Sequence, residues 1–167
     1  MKHQKTPIGR SLTRLEGEDN RLAIVCHKSL LGYCGDKAVT FPASLALDIV
    51  TIGVKNPQLR NEIYLQAIKH TVANPSTYNQ ARAFHLICIC ADAFAPQPDF
   101  MYYLLNFLLH SAGDRSDTVN ELTPVEQMAA YALARIQALH HAGPNAQAMI
   151  VDVEAVETYS ARLPCTP

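Results

Sequence analysis

The side chains in this sequence with the chemistry to attack a substrate or hold a metal are five cysteines and seven histidines. Cys88 and Cys90 are two apart in a stretch that reads as helix. A helix turns about 100° per residue, so their thiols diverge by about 200°. A shared zinc needs its sulfurs on one side, and the usual spacing leaves two residues between them. His140 and His141 are adjacent, as are Cys26 and His27, and neighbours on a helix do not share a face. The histidine pair is better placed as charge near a helix C-terminus. His85 shares one narrow stripe with Arg82 and Asp92 in an otherwise apolar helix. A hydrogen-bonded core imidazole fits that position better than a general base. There is no glycine-rich phosphate loop, no GxSxG and no HExxH. The sequence therefore implies no enzyme, no cofactor and no metal ligand set.

What the chain does carry is material for helices. Hydrophobic residues make up 49% of its 167 residues and charged ones 17%, with no tryptophan, which suits one globular domain with a proper core. Alanine and leucine dominate the apolar set and favour helix. The organising stretch is ARAFHLICICADAFA, Ala81 to Ala95. It is apolar on almost every side, which places it inside other helices. At about fifteen residues it is too short to cross a bilayer, and no other stretch reads as a membrane span. The expected fold is all-α: a compact bundle of about six to eight helices around a buried central helix at about 79–95.

The coat follows from capping signals and periodicity. Residues 1–18 read as a basic arm or short helix laid on the bundle, with Leu12 and Leu15 as anchors. From about Asp19, Leu22, Val25, Cys26, Ser29, Leu30 and Tyr33 make one helical face, and Gly35-Asp36 turns the chain. Pro42 opens a second helix, with Gly53 near its end. Asn56-Pro57 reads as an N-cap followed by a first-turn proline. In the third helix, Leu59, Ile63, Tyr64, Leu65, Ala67 and Ile68 form an apolar arc, with Gln58, Glu62, Gln66 and Lys69 opposite. Arg60 projects into the arc and needs a partner there, for which Asp48 and Asp92 are both candidates. After DFMYYLLNFLLH comes a polar loop, SAGDRSDTVNEL. Thr123-Pro124-Val125-Glu126 then reads as a capping box, and its helix runs to about His141. A last helix, AMIVDVEAVETYSARL, carries Met149, Val153 and Val156 on one face, and residues 164–167 form a tail.

The blocks PQLRNEIYLQAIKHTVANP, ARAFHLICICADAFAPQ and YYLLNFL resemble the signature of the myosin tail homology 4 domain. PIGRSLTRL, YCGD and AAYALARIQALHHAGP resemble its flanking segments. The similarity runs from about Pro7 to Ser160, and residues 19–163 would be the helical domain. The family's Arg-Gly-Trp is here Arg82-Ala83-Phe84, which keeps a large aromatic without the indole donor. The family's basic turn is here Gly143-Pro144-Asn145-Ala146-Gln147, without positive charge. Within these blocks Arg60, Glu62, Arg82 and Phe84 have structural roles.

Such domains occur in the tails of unconventional myosins and some kinesins, usually beside a FERM domain. The resemblance implies a non-catalytic module that binds microtubules or a cargo adaptor. Charge gives that implication a route. Net charge is −1, too small to argue for nucleic acid. Residues 1–70, however, hold ten Lys/Arg against six Asp/Glu, while residues 71–167 hold four against nine. Acidic tubulin tails would meet Lys2, Lys5, Arg10, Arg14, Arg21, Lys28, Lys37 and Lys55. The alternative is a scaffold that docks a partner peptide in an interhelical groove, independently of microtubules. MKHQKTPIGR lacks the apolar core of a secretory signal, and free cysteines suit a reducing compartment, so a cytoplasmic, cytoskeleton-associated protein is expected.

Overall fold

The computed structural model describes residues 1–113 and 122–142. Among these residues every regular element is helical. Helix α1 spans Gly17–Cys34, α2 Pro42–Lys55, α3 Arg60–Thr71, α4 Thr77–Ala93, α5 Pro98–Ser111 and α6 Pro124–Ala142, with a single 3-10 turn at Pro57–Leu59. Residues 114–121 of the expected polar loop at 111–122, the turn at Gly143 and the helix carrying Met149, Val153 and Val156 lie outside the described residues, and Ser111 belongs to α5. No helix among the described residues is long and apolar enough to cross a membrane.

Helix α4 is the axis. Ser76 opens it, its hydroxyl accepting from Asn79 N at 3.2 Å. From Ala83 to Phe94 every residue is buried, including Phe84, Leu86 and Ile89. The helix packs against α1, α2, α3 and α6. Helix α5 packs on α6 and reaches α4 through Phe107, which stacks on Phe84 with ring centroids 5.9 Å apart.

The coat departs from the periodic reading in places. Val25 is 45% exposed, because Arg21, Val25 and Lys28 form the outward stripe of α1. The turn after α1 needs its glycine. Gly35 sits at φ 95°, and the N–H groups of Gly35 and Asp36 return to Gly32 O and Leu31 O. Asn56 does not cap with its side chain; its amide donates back to Ile52 O at 3.0 Å. The capping box at α6 does form. Thr123 N donates to Glu126 Oε2 at 2.7 Å, and Glu126 N to Thr123 Oγ1 at 3.3 Å.

Gly53 marks a close approach of α2 to the core. A Cβ there would lie 2.4 Å from two ring carbons of Phe94 and 3.0 Å from Ile63 Cδ1. Phe94 is held between Tyr64, edge-on at 5.6 Å, and the Arg60 guanidinium, 5.4 Å from its centroid. The ring therefore has little room to yield. Gly53→Ala is expected to destabilise the domain by about 1–3 kcal/mol, read as a lower thermal midpoint. An unchanged midpoint would mean the α2–α4 contact is looser than these distances.

Candidate interaction surface

The surface with the strongest chemical character is built on the N-terminal arm, residues 1–16. Its backbone would lie loose without partners, and the seam between α1 and α3 supplies them. His3 N donates to Val72 O at 2.9 Å, and the Lys69 ammonium donates to Lys2 O. Ile8 is buried, while Leu12 and Leu15, the expected anchors, are only half-buried. Ser11 N donates to Asn20 Oδ1 at 2.7 Å.

The main fastening is Glu62. Its Oε1 accepts from Leu12 N at 2.9 Å and Gln66 Nε2 at 2.7 Å. Its Oε2 accepts from Thr13 N and Thr13 Oγ1, both at 2.7 Å. The carboxylate is fully buried. A buried charge is tolerated when its lone pairs are met this completely. Gln66 also donates to Ala23 O at 2.9 Å, which ties α3 to α1. The polar side of α3 is thus covered: Glu62, Gln66 and Lys69 are buried beneath the arm and α1. With this grip behind it, Arg14 takes φ 59°, a left-handed conformation that costs about 1 kcal/mol for a side chain.

All eight basic residues singled out from the sequence are exposed. Lys2, Lys5, Arg10 and Arg14 lie on the arm, Arg21 and Lys28 seven residues apart on the outward stripe of α1, and Lys37 in the turn after it. Lys55 ends α2. Arg21 is partly engaged, its guanidinium 3.3 Å from exposed Glu18. The acidic side chains of this half are divided. Glu16, Glu18, Asp19 and Asp48 reach solvent, but the Glu62 and Asp36 carboxylates are withdrawn into the interior. Of the ten cations, Lys69 is buried and Arg60 points inward.

Arg60 pairs with neither Asp48 nor Asp92. Its Nε donates to Gly53 O at 3.0 Å, and its guanidinium lies over Phe94. Burial pushes its pKa down. Arg82 makes the same pair of contacts at α1: its Nε donates to Tyr33 O at 3.1 Å, with the guanidinium 4.2 Å from the Tyr33 centroid. Asp92 instead holds α6, accepting from Arg135 Nε at 2.6 Å and from Tyr131 Oη at 2.9 and 3.0 Å.

The titratable interior is quiet. Burial pushes His27, His70 and His85 down to about 4, so all three imidazoles are neutral at neutral pH. His85 Nδ1 lies 2.9 Å from the Tyr33 hydroxyl, a core hydrogen bond. Burial pushes the Cys26 thiol up to about 12 and raises Cys34, Cys88 and Cys90 far above the thiol range. A protonated thiol is a poor nucleophile. One convergence has no spacing signal in the sequence. His3, Asp36 and His70 come from the arm, the turn after α1 and the end of α3, and one ligand-type atom from each lies within 4.8 Å of the others.

Comparison with known proteins places this architecture. The family model of the MyTH4 domain matches residues 46–154. The chain is 34% identical over 113 residues to the high molecular weight form of myosin-1 from Acanthamoeba castellanii, covering 68% of this chain and 7% of that myosin. It is 28% identical over 162 residues to the myosin-I heavy chain of Dictyostelium discoideum, covering 95% of this chain and 7% of that one. It thus spans under a tenth of the length of these curated relatives. Its fold is similar to the MyTH4-FERM MF1 domain of Dictyostelium discoideum myosin VII, with a TM-score of 0.80 over 98% of this chain and 33% of that one at 22% identity. It is also similar to the C-terminal MyTH4-FERM domain of human myosin 7b, solved in complex with the harmonin-a PDZ3 domain, with a TM-score of 0.75 over 95% of this chain and 32% of that one at 22% identity. The myosin tail blocks read in the sequence, the helices that pack them around α4 and the match from 46 to 154 agree: the chain belongs to the MyTH4 domain family.

Proposed function

We propose that this domain is a non-catalytic, cytoskeleton-associated interaction module of a motor-protein tail, working beside a FERM domain and gripping acidic partners through its arm and α1. Microtubules, through the acidic tails of tubulin, are the first such partner; an acidic cargo adaptor is the second. The observation that carries this reading is the charge division of residues 1–70. Eight cations reach solvent against four carboxylates, because Glu62 and Asp36 are turned inward. The arm is also fastened in place, so its charges are presented without a large ordering cost on binding. The neutral imidazoles and protonated thiols of the interior favour holding over reacting.

A second reading rests on α5. Tyr102, Tyr103 and Leu109 are 76%, 49% and 58% exposed. Aromatic and aliphatic side chains of this kind suit docking of a partner peptide with little salt dependence.

Co-sedimentation with microtubules across a salt series separates the two. Attraction between exposed charges weakens as salt rises. Binding at low salt is expected to fall steeply with ionic strength. Replacing Lys5, Arg10, Arg14 and Lys28 together by glutamine is expected to weaken it on the order of tenfold or more. No binding at low salt would end the tubulin proposal. Capture of a partner that persists at high salt and is lost on Tyr102→Ala would favour the α5 surface.

A further inference from the structure

Three side chains distant in sequence aim their polar atoms at one point beneath the arm. His3 Nε2 lies 2.9 Å from Asp36 Oδ2, and His70 Nε2 lies 3.2 Å from the same oxygen. The side chains of His3, Asp36 and His70 are 5%, 1% and 1% exposed. The rings of His3 and His70 meet edge to face, with centroids 4.6 Å apart. A hydrogen-bonded triad does not fully account for this. His3 is well placed to bond Asp36, but His70 Nε2 makes no hydrogen bond of acceptable geometry and is buried. A buried imidazole nitrogen left so is costly, and an arrangement that keeps it calls for an explanation.

The two separations to Asp36 Oδ2, 2.9 and 3.2 Å, are near those between ligands of one metal, and all three atoms lie within 4.8 Å of one another. Ligands about 2.0–2.1 Å from a tetrahedral zinc lie about 3.3 Å from one another. Two imidazoles and a carboxylate, with the fourth position left to water, are a donor set suited to zinc-class ions rather than to magnesium or calcium. The carboxylate is oriented from behind: Asn79 Nδ2 donates to Asp36 Oδ1 at 3.0 Å and leaves Oδ2 to the two histidines. His27 feels the charges of Asp36 and His3, and its buried Nδ1 has no hydrogen-bond partner. Lys69, which faces His70 and His27, is the opposing cation; its ammonium is committed to Lys2 O.

We propose that His3, Asp36 and His70 form a binding site for a divalent zinc-class metal ion that staples the N-terminal arm to the bundle. The ion ties the arm to the turn after α1 and to the end of α3. Metal availability then sets how firmly Lys2, Lys5 and Arg10 are presented.

The test is calorimetric titration of ZnCl2 into the chelator-treated chain at neutral pH, with trypsin cleavage after Lys5 and Arg10 followed alongside. One zinc per chain is expected, with affinity reduced at least about tenfold by His3→Ala and by Asp36→Asn. Binding should be unmoved by joint replacement of the exposed His140 and His141 by alanine. Zinc should slow arm cleavage in the parent chain and not in His3→Ala. His3 lies outside every helix, so that variant keeps the bundle and decides the matter even where Asp36→Asn fails to fold. The proposal is overturned by an absence of zinc binding, by affinity that survives His3→Ala, or by binding that disappears with His140 and His141.

Discussion

Replacing Glu62 by alanine lowers the unfolding free energy by about 3–5 kcal/mol and releases the arm, if the four bonds it accepts carry the weight their geometry gives them. Two of the donors are the backbone N–H groups of Leu12 and Thr13, which face the interior and have been matched to this carboxylate. Alanine leaves them without an acceptor, and each unmet buried donor costs about 1–3 kcal/mol. Glu62→Gln keeps the shape but turns an NH2 group toward donors, so an intermediate loss is expected. Urea denaturation gives the energy, and faster trypsin cleavage after Arg10 and Arg14 gives the location. A Glu62→Ala chain within about 1 kcal/mol of the parent, with the arm still protected, would show that the seam holds the arm without the carboxylate.

The second large effect is expected at Asp92, near the C-terminal end of the axial helix. Asp92 is buried on α4 and engages Arg135 and Tyr131 of α6. Asp92→Ala removes the acceptor from both. Arg135 retains 30% exposure of its side chain, so its charge can turn toward water, and the cost is held to about 2–4 kcal/mol. The loss should be local. Amide exchange is expected to speed up in α6 while α1 and α3 keep their protection. Equal acceleration throughout would mean that α6 has no separate hinge of stability and that the bundle opens as one unit.

These two carboxylates show how far residue patterns reach. The central helix was legible because a stretch apolar on every side has only one place to go, and Thr123 was legible as a cap because capping is local chemistry, although Asn56, read the same way, turns its amide back to Ile52 O instead. Glu62 was not. A helical wheel puts Glu62, Gln66 and Lys69 on a polar face, and polar faces normally meet water; here that face meets the backbone of Lys2, Leu12 and Thr13 on the arm and of Ala23 on α1. The partner of Arg60 was equally hidden. Two aspartates were plausible, while the actual partners are a carbonyl at Gly53 and the ring of Phe94, and neither carries a sequence signal. Val25 fits an apolar face by spacing, yet α1 is turned so that it lies outward.

The sequence alone determined the family, the helical class and the uneven distribution of charge, since these depend on residue types, periodicity and the order of the blocks. The tertiary structure decided which of those charges reach solvent and which are spent inside. It also decided that His3, Asp36 and His70, 33 and 34 residues apart along the chain, converge on one point. The reason is physical: exposure and convergence are properties of how the arm and helices pack, and no local spacing encodes a contact between an extended segment and two helix ends.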